Sequence, residues 1–255
     1  MSYSPVPSTK GQLLSAIDII SIEYDQITEE IQAFKNFKKE VENIAVSHDL
    51  NNSVDKFGYQ KGSTVEGATK VRRAYQDTVM SVSHYNKEYG DTYTSSISEE
   101  LGSDLAIAVK QSSELTSILK SALVTQIENT IESRKQLQNT VQIEQDSIES
   151  HHTDLYDVGE FIHECMEYQI QSSNIEQVNE YKRKSSNIDK KLDNIAIIRQ
   201  QDINKVNKLS QTSQPSSELY SYFYQSLSTD FPVLETIGQL GRKHKRIKLQ
   251  WHNRE

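Results

Sequence analysis

The stretch VNEYKRKSSNIDKKLDNIAIIRQQDINKVNKL, residues 178–209, repeats every seven residues. Val178, Ser185, Leu192, Arg199 and Val206 form one series, and Tyr181, Ile188, Ile195, Asp202 and Leu209 form the matching one. Steps of three and four place both series on one stripe of an α-helix, which is the pattern of a coiled-coil seam. A helix with such a stripe cannot bury it alone, so the rest of the chain has to supply a partner.

The segment before it does. From Ser113 to about residue 170 runs a drifting stripe that includes Leu119, Leu123, Ile127, Ile131, Val141, Ile148, Leu155, Ile162 and Cys165, and no Gly or Pro falls between Ser112 and Asp157. Arg134, Glu144, His151 and His152 interrupt it; polar seam positions cost stability but fix register and partner. A turn at Gln171–Asn174 folds 113–210 into an antiparallel hairpin. Its first arm is the longer, by ~30 Å at 1.5 Å per residue, so that arm packs on something else at one end.

Another heptad, from Leu13 through Ile17, Ile20, Tyr24, Ile27, Ile31 and Phe34 to Val41, predicts a long helix over 10–47. Residues 1–9 read as a disordered lead. The breakers in 48–66 (NNS, FGYQKGS, EG) read as a loop. Residues 67–110 read as two short helices forming a cap, separated by Gly90 and Asp91, with Ser96 or Ser98 capping the second. Residues 211–217 are a linker, and 218–255 form a C-terminal helical segment with Pro232 in the first turn of its last helix. The expected fold is all-α: an elongated helical bundle with a long antiparallel coiled-coil hairpin and a small helical cap.

Composition agrees. The chain has 255 residues, 35% of them hydrophobic, with only 9 Gly and 4 Pro, which suits long helices with narrow apolar stripes better than a layered sheet. The net charge is −8. Residues 242–255 carry +5 of it, leaving −13 on the remainder, a body that disfavours broad contact with nucleic acid or anionic lipid. One cysteine excludes an intrachain disulfide framework. The N-terminus lacks an apolar signal region, and no apolar run is long enough to span a bilayer. A soluble cytoplasmic protein is expected.

Motifs for chemistry are sparse. The sequence has no nucleophile elbow, no Walker-type loop and no dinucleotide fingerprint, so neither catalytic residues nor a cofactor is expected. Two Glu-x-x-His pairs, Glu149/His152 and Glu160/His163, have the spacing of di-metal carboxylate sites, but both fall on one helix whereas such sites draw their pairs from two. They read as a solvated face. Arg242, Lys243, Lys245, Arg246 and Lys248, followed by Trp251, form a basic tail that can contact phosphate, against the simpler reading of cations complementing a helix C-terminus.

The run VRRAYQDTVMSVSHYNKEYGDTY, residues 71–93, supplies the first of the two short helices, ending at Gly90 and Asp91. At 100° per residue Tyr75, Tyr85 and Tyr89 fall on its apolar face, with Met80 and His84 together on the other. That pair is a candidate partner contact, although an intrachain contact is the simpler alternative. This run, with EELGSDLAIAV (99–109) and DFPVLETIGQL (230–240), resembles an uncharacterised domain family seen mainly in haloarchaea. Its members share an AY-x-x-TVM-x-V-x-HY-x-x-EYG motif and a late tyrosine-rich segment before a D-aromatic-PVL motif. The resemblance covers roughly residues 10–245 and implies no activity, ligand or functional residue. Heptads without a chemical constellation point to a non-enzymatic interaction or structural protein with a protein partner or self-association. Association with nucleic acid through the basic tail and a metal-dependent enzyme are the alternatives.

Overall fold

The computed structural model describes residues 9–46, 66–171, 175–210 and 216–252. The expected lead, the loop before Glu66, the turn after Gln171 and most of the linker lie outside them. The fold is all-α, and no strand occurs among the described residues. The helices are α1 (Thr9–Asn43), α2 (Gly67–Thr78), α3 (Tyr85–Glu88), α4 (Tyr93–Leu101), α5 (Ser103–Gln111), α6 (Ser117–Gln171), α7 (Ile175–Ser210), α8 (Ser216–Phe223) and α9 (Pro232–His252), with a 3-10 turn at Val79–Ser81. The chain divides into two compact units, Asp25–Gln138 and Met1–Tyr24 with Asn139–Glu255.

In the Asp25–Gln138 unit, α1 and the first part of α6 run antiparallel. Gln138 meets Thr28, Arg134 meets Glu30, Glu128 meets Lys38, and Lys120 reaches the carbonyls of Glu42 and Ile44. The extra length of α6 is thus paired with α1. The seam buries Ile31, Phe34, Phe37 and Val41 against a core completed by Leu123, Ile127 and Ile131. Tyr75 of α2 is fully buried, sets its ring edge-on to Phe37 at 5.2 Å, and bonds the Ser96 hydroxyl at 2.7 Å. Helix ends leave carbonyls without intrahelical partners. Here neighbouring helices supply donors: Arg72 to Val109, Thr130 to Glu100, and Lys120 at the end of α1.

Two sequence expectations fail in this unit, each for a local reason. The 71–93 run is not one helix. Thr78 Oγ1 donates to the Ala74 carbonyl at 2.6 Å, and Ser81 Oγ donates to those of Asp77 and Thr78. Such back-bonds compete with the helical ladder. The chain tightens to a 3-10 turn, extends at Val82 (ψ 147°) and restarts as α3. Helical phase is lost at this break, so Tyr89 comes out 48% exposed while His84 is buried. The second expected helix is split at Gly102, whose φ of +87° suits only glycine, and α4 is capped by Thr92, which accepts from the Ser95 N–H, not by Ser96 or Ser98. Gly90, at φ +61°, ends α3 as its sequence suggested.

In the other unit α6 and α7 pair antiparallel: Asp154 meets Lys191, and Glu144 meets Arg199 further along α7. Ser185, Leu192, Arg199 and Val206 are all buried, as one heptad series requires. The second series slips: Ile195 is buried, but beyond Arg199 the buried residue is Ile203, with Asp202 half-buried and Leu209 exposed. Four residues instead of three separate Arg199 from its successor, a local departure from the heptad that admits the guanidinium to the seam. α9 runs parallel to α7, since Ser185 meets His244 and Asp189, one turn on, meets His244 and Lys248. Pro232 opens α9, where its missing N–H costs nothing.

Candidate functional site

The polar residues that interrupt the heptads are gathered into three side-chain clusters. The first joins α6, α7 and α8. Glu144 and Arg199 are both fully buried; Arg199 gives Nη1 to Glu144 Oε2 at 2.9 Å and Nη2 to Oε1 at 2.5 Å, a bidentate pair. The hydroxyls of Tyr224 (2.5 Å) and Tyr220 (3.3 Å) donate to the same carboxylate. Ser147 links the pair outward, accepting from Arg199 and donating to Asp202. Burial alone would favour a neutral guanidine, but the Glu144 carboxylate outweighs it and holds Arg199 charged. Burial, reinforced by Glu144, pushes both tyrosine hydroxyls well above their ordinary range. His151 follows on α6; burial lowers its pKa, and its Nε2 lies 3.8 Å from Asp202, too far for a hydrogen bond.

The second cluster joins α7 and α9. His244 is fully buried; its Nε2 meets Ser185 Oγ at 2.8 Å and its Nδ1 meets Asp189 Oδ1 at 2.8 Å. This is the connectivity of a Ser-His-Asp catalytic triad, but the setting opposes that chemistry. Ser185 is 3% exposed and sits mid-helix, where neighbouring N–H groups are committed to the backbone ladder and cannot form an oxyanion hole. Asp189 also pairs with Lys248 at 2.7 Å. Burial would raise the Asp189 carboxyl, but its bonds to Lys248 and His244 hold it below the usual range.

The third cluster lies in the Asp25–Gln138 unit and contains His84. Its ring nitrogens face Glu29 Oε2 at 3.3 Å and Glu30 Oε1 at 2.9 Å, both on α1. Ser83 donates its N–H and hydroxyl to Glu29, and Tyr89 donates to Glu30. Arg134 spans Glu30 and Glu100, at 2.9 and 2.6 Å, and covers the Phe34 ring at 4.5 Å. Burial would raise the Glu30 carboxyl, but Arg134 with His84 and Tyr89 outweighs it and lowers it. Met80 packs on Ala33, Val82 and Tyr85. The pair singled out in the sequence therefore makes intrachain contacts: His84 is a buried anchor of its loop on α1, and Met80 is half-buried beside it.

The remaining feature is a cleft of about 250 Å³ between α6 and α9, beside Leu13 of α1. Leu155, Ile162 and Leu240 are among its apolar lining residues, and His152, Glu160, His163, Thr236 and Lys243 are among the polar ones. Both histidines of the Glu-x-x-His pairs thus line one cleft, but Glu149 is exposed and bonded by Gln145. Among the described residues no three His, Cys, Asp or Glu side chains are placed to hold a metal ion. Cys165 is buried, and burial pushes its thiol up to about 12, far from a reactive thiolate.

The basic residues of α9 diverge. Lys248 pairs with Asp189, Arg242 with Glu235 at 3.3 Å, Lys243 lines the cleft, and Lys245 and Arg246 are exposed. His244, buried among them, was missed in the sequence. Its signal was there: Val233, Leu240, His244 and Ile247 continue one helical stripe. No described helix is long and apolar enough to cross a membrane.

The model of a family described as a domain of unknown function, DUF7260, matches residues 11–248. No curated protein and no solved structure matches the chain.

Proposed function

The chain belongs to this domain family of unknown function, and from that premise we propose that it is a non-enzymatic helical interaction protein, acting through self-association or a protein partner. The observation that carries the reading is the sealing of its would-be chemistry. In the Ser185–His244–Asp189 chain, the one arrangement with catalytic connectivity among the described residues, Ser185 and His244 are buried between two helices, and the half-exposed Asp189 is held by both His244 and Lys248. Buried polar networks of this kind fix register and partner within a bundle; they do not need a substrate.

The outer faces support the same reading. Ile197 and Ile198 of α7 are 58% and 39% exposed, and Ile118 of α6 is 83% exposed. Single exposed apolar residues are ordinary, yet on long helices they provide the anchors that helix-to-helix association uses. The exposed Lys245 and Arg246 leave a second reading, a phosphate-bearing partner. It is weaker, because Lys248 and Arg242 already have carboxylate partners. Cross-linking in native lysate together with sedimentation of the purified chain tests the proposal; recovery of neither a self-complex nor a stoichiometric partner defeats it.

A further inference from the structure

One side of the α6–α7 hairpin is turned away from α9. Ser150, Asp157 and Glu164 of α6 and Asn187, Asn194 and Gln201 of α7 recur every seven residues, and all six are exposed. At about 100° per residue, the α7 row lies about 160° from Ser185 and Asp189, which face α9, and about 100° from Lys191 and Arg199, which face α6. The α6 row lies about 160° from Gly159, which faces Leu240 of α9, and about 100° from Glu144 and Asp154, which face α7. Both rows therefore share the side opposite α9.

The rows differ in charge. Residues 136–171 of α6 hold eight Asp or Glu and no Lys or Arg, whereas α7 holds eight Lys or Arg against five acids. Lys184 and Lys191 are taken up by Glu180 and Asp154. Asp157 and Glu164 on one row, and Arg183 and Lys190 beside the other, are exposed, and none of the four forms an ion pair among the described residues. The Asp154–Lys191 and Glu144–Arg199 pairs set the hairpin register. It puts Asp157 level with Asn187, between Arg183 and Lys190, and Glu164 one turn beyond Arg183. Half-buried Ile143 and Phe161 of α6, and Ile198 of α7, 39% exposed, line the inner edges of the two rows.

Resting on the association reading above, we propose that this face binds a second copy of the chain, each α6 lying antiparallel on the partner's α7. Two copies of one face close about a two-fold axis, and the axis can run across the helices or along them. An axis across the helices lays α6 on α6, setting a row without cations on itself. An axis along them lays α6 on the partner's α7 at the same level, so Asp157 falls between the partner's Arg183 and Lys190. Charge complementarity favours the second arrangement and penalises the first. The inner-edge Ile143, Phe161 and Ile198 of both copies then meet around the axis as the apolar centre of the interface.

Sedimentation equilibrium of the full chain at ~50 mM NaCl tests this, with circular dichroism confirming that each variant folds. The wild type should dimerise. Asp157→Lys with Glu164→Lys should weaken the dimer at least ~10-fold, and so should Arg183→Glu with Lys190→Glu, because each variant sets like charges together twice in one symmetric dimer. An equimolar mixture of the two variants should recover near wild-type affinity, since every contact is then between opposite charges. The wild-type dimer should also weaken at least ~10-fold at ~500 mM NaCl. The proposed dimer is overturned if the wild type stays monomeric, if either folded variant dimerises like it, or if the mixture is no tighter than its components. If a variant misfolds, the salt series decides, and a salt-insensitive dimer counts against this face. A dimer indifferent to these charges defeats the face and leaves self-association standing; absence of both a dimer and any lysate partner defeats the broader reading as well.

Discussion

Removing one member of the Glu144–Arg199 pair should cost far more than removing both. Arg199→Met leaves a carboxylate fully buried with only two tyrosine hydroxyls to solvate it. Stranding one partner of a buried pair costs ~3–5 kcal/mol. Glu144→Met strands a guanidinium instead, at a similar ~3–5 kcal/mol. The double variant removes both charges, and replacing a buried pair by well-packed apolar groups is neutral or favourable by up to ~4 kcal/mol. It also orphans the Tyr220 and Tyr224 hydroxyls, at ~1–3 kcal/mol each. The double should therefore lose about 2 kcal/mol at the middle of these ranges, and ~6 at most, where the singles sum to ~6–10. Adding Tyr220→Phe and Tyr224→Phe should recover most of the loss, because donors and acceptor have then gone together. Urea denaturation followed by far-UV circular dichroism measures the series, with the transition of the Met1–Tyr24 and Asn139–Glu255 unit fitted separately. An additive double variant, or an Arg199→Met loss below ~1 kcal/mol, would refute the view that the pair is desolvated and mutually dependent.

His84→Ala should lower stability by ~1–3 kcal/mol through the loss of a buried partner for Glu29 and Glu30, and Met80→Ala by a smaller amount. Thermal unfolding of both variants with sedimentation alongside checks this; unchanged stability with altered association would restore a surface role for the pair. Stability should also fall with acid in two stages. His151 has a folded pKa lowered by burial, so below its unfolded value of ~6.5 the unfolded chain takes up the proton first and stability declines. Glu30, Asp189 and Asp202 are lowered too, so their contribution is present above their unfolded values of ~4 and lost as pH falls through the folded ones. Unfolding midpoints across pH should show the first stage disappear in His151→Gln, and a midpoint that rises from pH ~7 to ~5 contradicts the assignment.

The helices were readable because their apolar spacing is local information. Ser185, Leu192 and Val206 identify their seam from seven-residue steps alone. Which polar residues meet is not local. Glu144 and Arg199 stand 55 positions apart, and each looked like a separate blemish in its own stripe until the hairpin set them opposite one another. The 71–93 run failed for a different reason. Thr78 and Ser81 divert backbone carbonyls, and a phase counted at 100° per residue is void beyond that point. Counted through the break, that phase puts His84 on the wrong side. The cleft was hidden because its walls come from helices about 80 positions apart, although the spacing of His152 and His163 marks one of them.

The central claim is that this helical chain works by association, its polar chemistry closed inside. Sedimentation velocity of the purified chain over a wide concentration range, paired with cross-linking mass spectrometry in native lysate, tests it most directly. The account predicts a self-complex or a stoichiometric protein partner whose cross-links map to exposed helix faces such as that of Ile197 and Ile198 on α7. A chain that sediments as a monomer at every concentration and yields no partner cross-links would contradict it.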